Sequence, residues 1–173
     1  VVFATPNYAG GMAAGLKTFL ERTAFRLHRP RYFEQFAVFV VTSGGPAGIK
    51  NTLAGLASFT AMGYRKTAVL ARPLLHPTAR DLLETAVDRR RTSRAVDKAA
   101  RRFLRVLTEK PPRRVGLGDL IQFAALKGTL VYGRSYFAAD YRHYAERGWL
   151  KPGVDYFCQG RHGPVKRLLG RLF

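Results

Sequence analysis

Cysteine occurs once in the 173 residues, at Cys158. One thiol excludes an intrachain disulfide framework and any four-cysteine zinc or iron–sulfur site built by this chain alone. It agrees with a reducing compartment, and the expected location is cytoplasmic. No continuous apolar run approaches the roughly 18 residues of a membrane-spanning helix. The first apolar run, residues 1–4, stops at Thr5-Pro6 and has no basic leader, so it does not read as a signal peptide. These absences predict a soluble protein. Acidic residues are scarce as well: 11 Asp and Glu face 30 Lys and Arg, a formal charge of +19. That balance draws a chain toward anionic partners, but no nucleic-acid motif accompanies it, and a solvated basic surface is the simpler reading. The four histidines (His28, His76, His143 and His162) share no metal-ligand spacing, so no metal site is expected. Ser43 lacks a Gly-x-Ser-x-Gly elbow, which argues against a hydrolase nucleophile.

What is present is a globular pattern, with 47% apolar residues. Residues 1–5, 36–42 and 67–71 read as buried strands. Helical periodicity links the first two: Met12, Leu16, Phe19, Leu20, Thr23 and Leu27 recur up to His28-Arg29-Pro30, where proline halts the helix. A second helix is expected over 52–62, capped by Asn51 and closed by Gly63. A third runs from about 78 to 107, with a polar stretch at 88–94 that reads as a break or an exposed turn. Lys110-Pro111-Pro112-Arg113-Arg114 reads as a linker. Beyond it lie an apolar helix over 117–132, an aromatic-rich stretch over 136–157 and a basic amphipathic tail over 165–173. Alternating strands and helices predict parallel strands joined by right-handed crossovers, an α/β layered fold.

Two loops stand out, Thr5 to Gly11 and Thr42 to Gly48. Each leaves the carboxyl end of a strand, the edge at which open α/β sheets bind ligands. Thr5-Pro6-Asn7-Tyr8-Ala9-Gly10-Gly11-Met12 followed by Gly15-Leu16-Lys17-Thr18-Phe19-Leu20-Glu21-Arg22 resembles the flavodoxin-like NAD(P)H-dependent FMN reductase family. There a strand ends in a Pro-x-Tyr turn and a Leu-Lys-x-Phe-x-Asp-Arg helix follows; Glu21 stands here for the Asp. Thr42-Ser43-Gly44-Gly45 resembles that family's second flavin loop. Asp140-Tyr141, Tyr144, Gly148-Trp149 and Leu150 resemble the tail of one bacterial branch.

The resemblance implies a flavodoxin-like, doubly wound parallel sheet over 1–110, with a helical C-terminal extension over 111–173 packed on it. It implies bound FMN, NAD(P)H as co-substrate, a small-molecule electron acceptor and a homodimer. Thr5, Pro6, Asn7, Tyr8, Ala9, Gly10, Thr42, Ser43, Gly44 and Gly45 would form the ring slot. In it Tyr8 stacks, and the backbone amides of Gly10, Gly11, Gly44 and Gly45 bond the ring. No side chain is required as a general base. Trp149 and Tyr144 are expected to pin the tail, or to bring it to a flavin site across the dimer. The family holds the FMN phosphate on a loop after its first strand. No such strand precedes Val1, so the resemblance implies that the first strands are missing, that residues 1–4 form an open edge, and that these 173 residues alone bind FMN weakly or not at all. The competing class is a non-enzymatic basic module resting on an anionic membrane surface or on nucleic acid, without sequence-specific recognition of the latter.

Overall fold

Three β-prone runs form a parallel sheet because each carries apolar side chains for at least one covered face. The computed structural model describes residues 1–73 and 86–158. They fall into two units, one of residues 1–24 and 32–110, the other of residues 25–31 and those after 110. In the first unit β1 (Val2–Tyr8), β3 (Phe36–Ser43) and β4 (Arg65–Pro73) run parallel. A two-residue β2 (Gly11–Met12) turns back antiparallel on the end of β1, and the order is β2-β1-β3-β4. Helices α1 (Ala14–Arg22), α3 (Ile49–Ala61) and α4 (Ala86–Glu109) complete this unit. All three expected strands are present and parallel.

Register fixes the faces. Phe3 pairs with Phe39 and Phe39 with Val69, so these side chains share one face. On it Phe3 stacks on Phe59 of α3 with ring centres 3.9 Å apart, and Tyr64 meets Phe3 edge-on at 5.1 Å. Tyr32 in turn stacks on Tyr64 at 4.4 Å. Val38, on the opposite face, is also buried, and α4 packs on β3 and β4. The same face of β1 is open: Val2 is 56% exposed, and Ala4 is exposed beside it.

Gly63 closes α3 as the sequence predicts. It sits at φ +109, and the N–H groups of Gly63 and Tyr64 bond back to Thr60 O and Phe59 O. The ring of Tyr64 then meets that of Phe59. This is a Schellman turn with its apolar contact. A Cβ at Gly63 would lie 2.9 Å from the backbone nitrogen of Tyr32.

Three expectations change. The first helix does not reach His28: it ends at Arg22, where the Thr23 hydroxyl bonds Phe19 O at 2.7 Å and competes with continuation. A separate short helix, α2 (Phe25–His28), follows and belongs to the second unit. Asn51 is not the cap of α3, since the helix starts earlier, after Gly48 at φ +77. The polar stretch at 88–94 is continuous helix within α4, supported by the high helix propensity of arginine. The expectations for residues 74–85 and for the tail at 165–173 lie outside the described residues.

The second unit contains α2, α5 (Leu117–Tyr132) and α6 (Ala138–Glu146). Tyr144 is fully buried among Trp149 and Phe157, and Phe157 meets Phe123 edge-on at 4.7 Å. Gly148, at φ +68, ends α6 in a second Schellman turn: Trp149 N–H bonds Tyr144 O and Gly148 N–H bonds Ala145 O. Asp140 ties α6 to α2 through an ion pair with Arg29 and a 3.2 Å contact with His28 Nδ1. Burial alone would raise the Asp140 carboxyl, but its bonds to Arg29 and His28 hold it below the ordinary value.

His143 lies 5.5 Å from the ring of Trp149, the sole tryptophan. Burial, and then the neighbouring Arg147 guanidinium, hold its imidazole below the ordinary value. A depressed value favours the neutral ring in the folded state. That contribution is complete above the unfolded value of about 6.5 and is lost as pH falls through the folded one. Tryptophan emission followed downward from about pH 8 should therefore show a transition centred below about 6.5 that His143→Gln removes. A transition centred higher, or one that survives the substitution, contradicts this.

Candidate functional site

The first candidate loop is a hairpin rather than a free loop. β1 continues through Thr5, Pro6 and Asn7 to Tyr8, then turns at Ala9 (φ 47) and Gly10 (φ 80) to pair Tyr8 with Gly11. Two successive positive φ values define the type I′ turn, which matches strand twist. Met12 seats the returning strand on α3, its methyl 2.7 Å from where a Cβ on Gly55 would sit. The second loop, 44–48, leaves β3 beside it, since Pro6 pairs with Thr42.

Asn7 joins the two. Its Nδ2 donates to Ser43 Oγ at 2.9 Å and to Ala47 O at 2.7 Å, and its Oδ1 accepts from Thr52 Oγ1 at 2.8 Å. Both amide hydrogens and the carbonyl are thus engaged. Thr5, buried, donates to Pro6 O and accepts from Ala13 N–H, each at 2.8 Å. Ser43, also buried, accepts from Asn7 and, more weakly, from Gly45 N–H at 3.4 Å. The side chains of Thr5, Asn7 and Ser43 therefore brace the loops, and what they offer a ligand is backbone.

The ten sequence-predicted site residues fall into two groups. Thr5, Asn7, Ser43 and the strand-borne Pro6 and Thr42 form the braced floor. Tyr8, Ala9, Gly10, Gly44 and Gly45 form the rim. Tyr8 is 67% exposed. Nothing lies within 4 Å of a Cβ built on Gly44 or Gly45, so the space above them is open. The reading from sequence missed Gly48 and Thr52. Gly48 packs so close to Gly10 that a Cβ on it would sit 2.5 Å from the Gly10 Cα. A glycine between a loop and a helix was its one signal; nothing marked Thr52 as a partner of Asn7.

The electrostatics are simple. Residues 5–12 and 42–48 carry no carboxylate and no cationic side chain. The first turn of α3, which begins beside Gly48, has no acidic residue to offset the helix's positive end. Arg72 pairs with Thr42 at the carboxyl end of β4. Among the described residues, no cluster of three or more His, Cys, Asp or Glu is placed to hold a metal ion.

Residues 1–74 match the family model of NADPH-dependent FMN reductases. Over this segment the chain is similar to the NADPH-dependent FMN reductase family. The matched residues include β1 to β4 and both candidate loops, and the parallel α/β sheet is the flavodoxin-like one that family carries. The cofactor and co-substrate of the family are FMN and NADPH. No curated protein matches the chain significantly. No helix among the described residues is long and apolar enough to cross a membrane.

The cofactor of the matched family carries a flat flavin ring, against which the two loops can be compared. A flavin ring needs an open flat slot and uncharged donors along its polar edge. The open space over Gly44 and Gly45, the neutral residue set and the glycine rim are compatible with such a ring.

The bracing and rim roles separate by mutation. Gly48→Ala places a Cβ against backbone at a positive φ and is expected to cost at least about 2 kcal/mol in urea unfolding. Gly44→Ala meets open space and should stay within about 0.5 kcal/mol of the parent. Equal effects from the two substitutions would contradict the assignment.

Proposed function

We propose that the protein is an FMN-dependent NAD(P)H oxidoreductase delivering electrons to a small-molecule acceptor such as a quinone or a free flavin, working as a homodimer. The observation that carries this reading is the pair of interlocked, uncharged, glycine-rimmed loops at the carboxyl ends of adjacent parallel strands, within the segment that matches the family. The chemistry FMN supplies when bound is acceptance of hydride from NAD(P)H and release of electrons to the acceptor.

The chain's own residues do the holding. Thr5, Asn7 and Ser43 fix the backbone of both loops. Gly10, Gly44 and Gly45 let the main chain approach a flat ligand closely. Tyr8 is placed at the rim to cover a ring face, and Pro6, Ala9 and Thr42 complete the slot. The positive end of α3 favours negative charge at this edge. No side chain of the site is a general base. Residues 1–110, apart from 25–31, act as the flavin unit and 111–173 as a helical extension.

The test isolates the ring. Lumiflavin, which has no phosphate, is titrated by fluorescence quenching into the chain, with FMN in parallel. Saturable quenching by lumiflavin is expected, and Gly44→Val should weaken it at least about tenfold, equivalent to about 1.4 kcal/mol, while leaving the unfolding midpoint unchanged. Absence of lumiflavin binding, or indifference to Gly44→Val, would count against the slot.

A further inference from the structure

Helix α4 carries two parallel stripes on its exposed surface. Arg90, Arg94, Lys98, Arg101 and Arg105 are all exposed. Their spacing of i, i+4, i+8, i+11 and i+15 sets them in one line along about 22 Å of helix axis. Arg105 also makes a 4.0 Å contact with Glu109, itself exposed. Thr92, Ala95, Ala99, Phe103 and Val106 are the half-buried residues of the helix, which packs on β3 and β4. Between that face and the basic line runs a second exposed stripe of aliphatic side chains: Val96 at 43%, Leu104 at 65% and Leu107 at 43% exposure, with Ala100 beside them.

Propensity explains the helix but not the stripes. A solvated surface helix gains nothing by exposing three large aliphatic side chains beside a row of cations. That combination matches a helix lying in a membrane interface, with leucine and valine entering the acyl boundary and arginine and lysine at the headgroups. We infer that α4 is a docking face for an anionic lipid surface.

Charge complementarity favours lipid over a second copy of the chain. Two copies would bring the same basic line together, and each molecule carries +19. The aliphatic stripe favours lipid over nucleic acid, because phosphates reward the arginines alone. Stacking on bases needs exposed aromatic rings, and the only aromatic residue of α4 is the half-buried Phe103. The inference does not depend on the proposed enzymatic activity, since none of these residues lies in the candidate site.

The test is flotation of the full chain with neutral phosphatidylcholine vesicles and with vesicles containing about one-third phosphatidylglycerol. Binding is expected to the anionic vesicles only, weakening as salt rises. Arg94→Glu/Lys98→Glu/Arg101→Glu should weaken it about a hundredfold or more, and the glutamine version of the same triple variant less. Leu104→Gln, at an exposed position that leaves the fold intact, should weaken it about fivefold. Failure to bind anionic vesicles, or unchanged binding by the triple variants, overturns the inference. So does an inert Leu104→Gln combined with tighter binding to a short DNA duplex, which would assign the stripe to nucleic acid.

Discussion

The carboxamide of Asn7 spends both N–H groups and its oxygen on three other segments: the end of β3, the loop that follows it and the first turn of α3. The Gly10–Gly48 approach depends on it, because loops that were not pinned together would separate rather than bring two backbones so close. Side chains in this site work inward, against the protein, and leave a neutral backbone surface outward. A flat heterocycle with hydrogen-bonding edges suits that surface better than an ion does.

Around this point both units use the same means of closing a helix onto its core. Gly63 and Gly148 each accept a positive φ, and each hands the chain to an aromatic residue that packs on the helix just ended, Tyr64 on Phe59 and Trp149 on Tyr144. In the first unit the turn aims β4 into the sheet, so the aromatic stack of Phe3, Phe59 and Tyr64 holds the strands whose ends carry the loops. In the second it buries Tyr144, whose hydroxyl burial pushes well above the ordinary phenol value. Two expectations from sequence, Gly63 as a helix stop and Tyr144 with Trp149 as packing residues, rest on this local chemistry.

Strand positions were legible because runs such as Phe36 to Thr42 are continuous and β-prone, and covered parallel strands read that way. The helix over 117–132 was legible for its apolar content. Less was visible wherever a side chain redirects the backbone. Thr23 ends α1 by bonding carbonyls of the preceding turn, which residue spacing does not reveal. Asn51 carries a capping side chain, yet Gly48 starts the helix three residues earlier by adopting a left-handed conformation. In the site, the sequence pointed to Thr5, Asn7 and Ser43 as ring-slot formers, and the structure shows their side chains bonded within and between the two loops. Their bracing role was hidden, because it depends on contacts 36 to 45 residues apart for Asn7.

One amide, that of Asn7, holds the two loops as a single unit. Asn7→Asp keeps the size of the side chain and its acceptor for Thr52 but removes both N–H donors. Hydrogen exchange measured by mass spectrometry across the chain reads the consequence directly. The expected result is a joint loss of protection in the segments around residues 9–13 and 44–52, with β4 unaffected. Unchanged exchange in both segments, or a loss confined to one of them, would contradict the account.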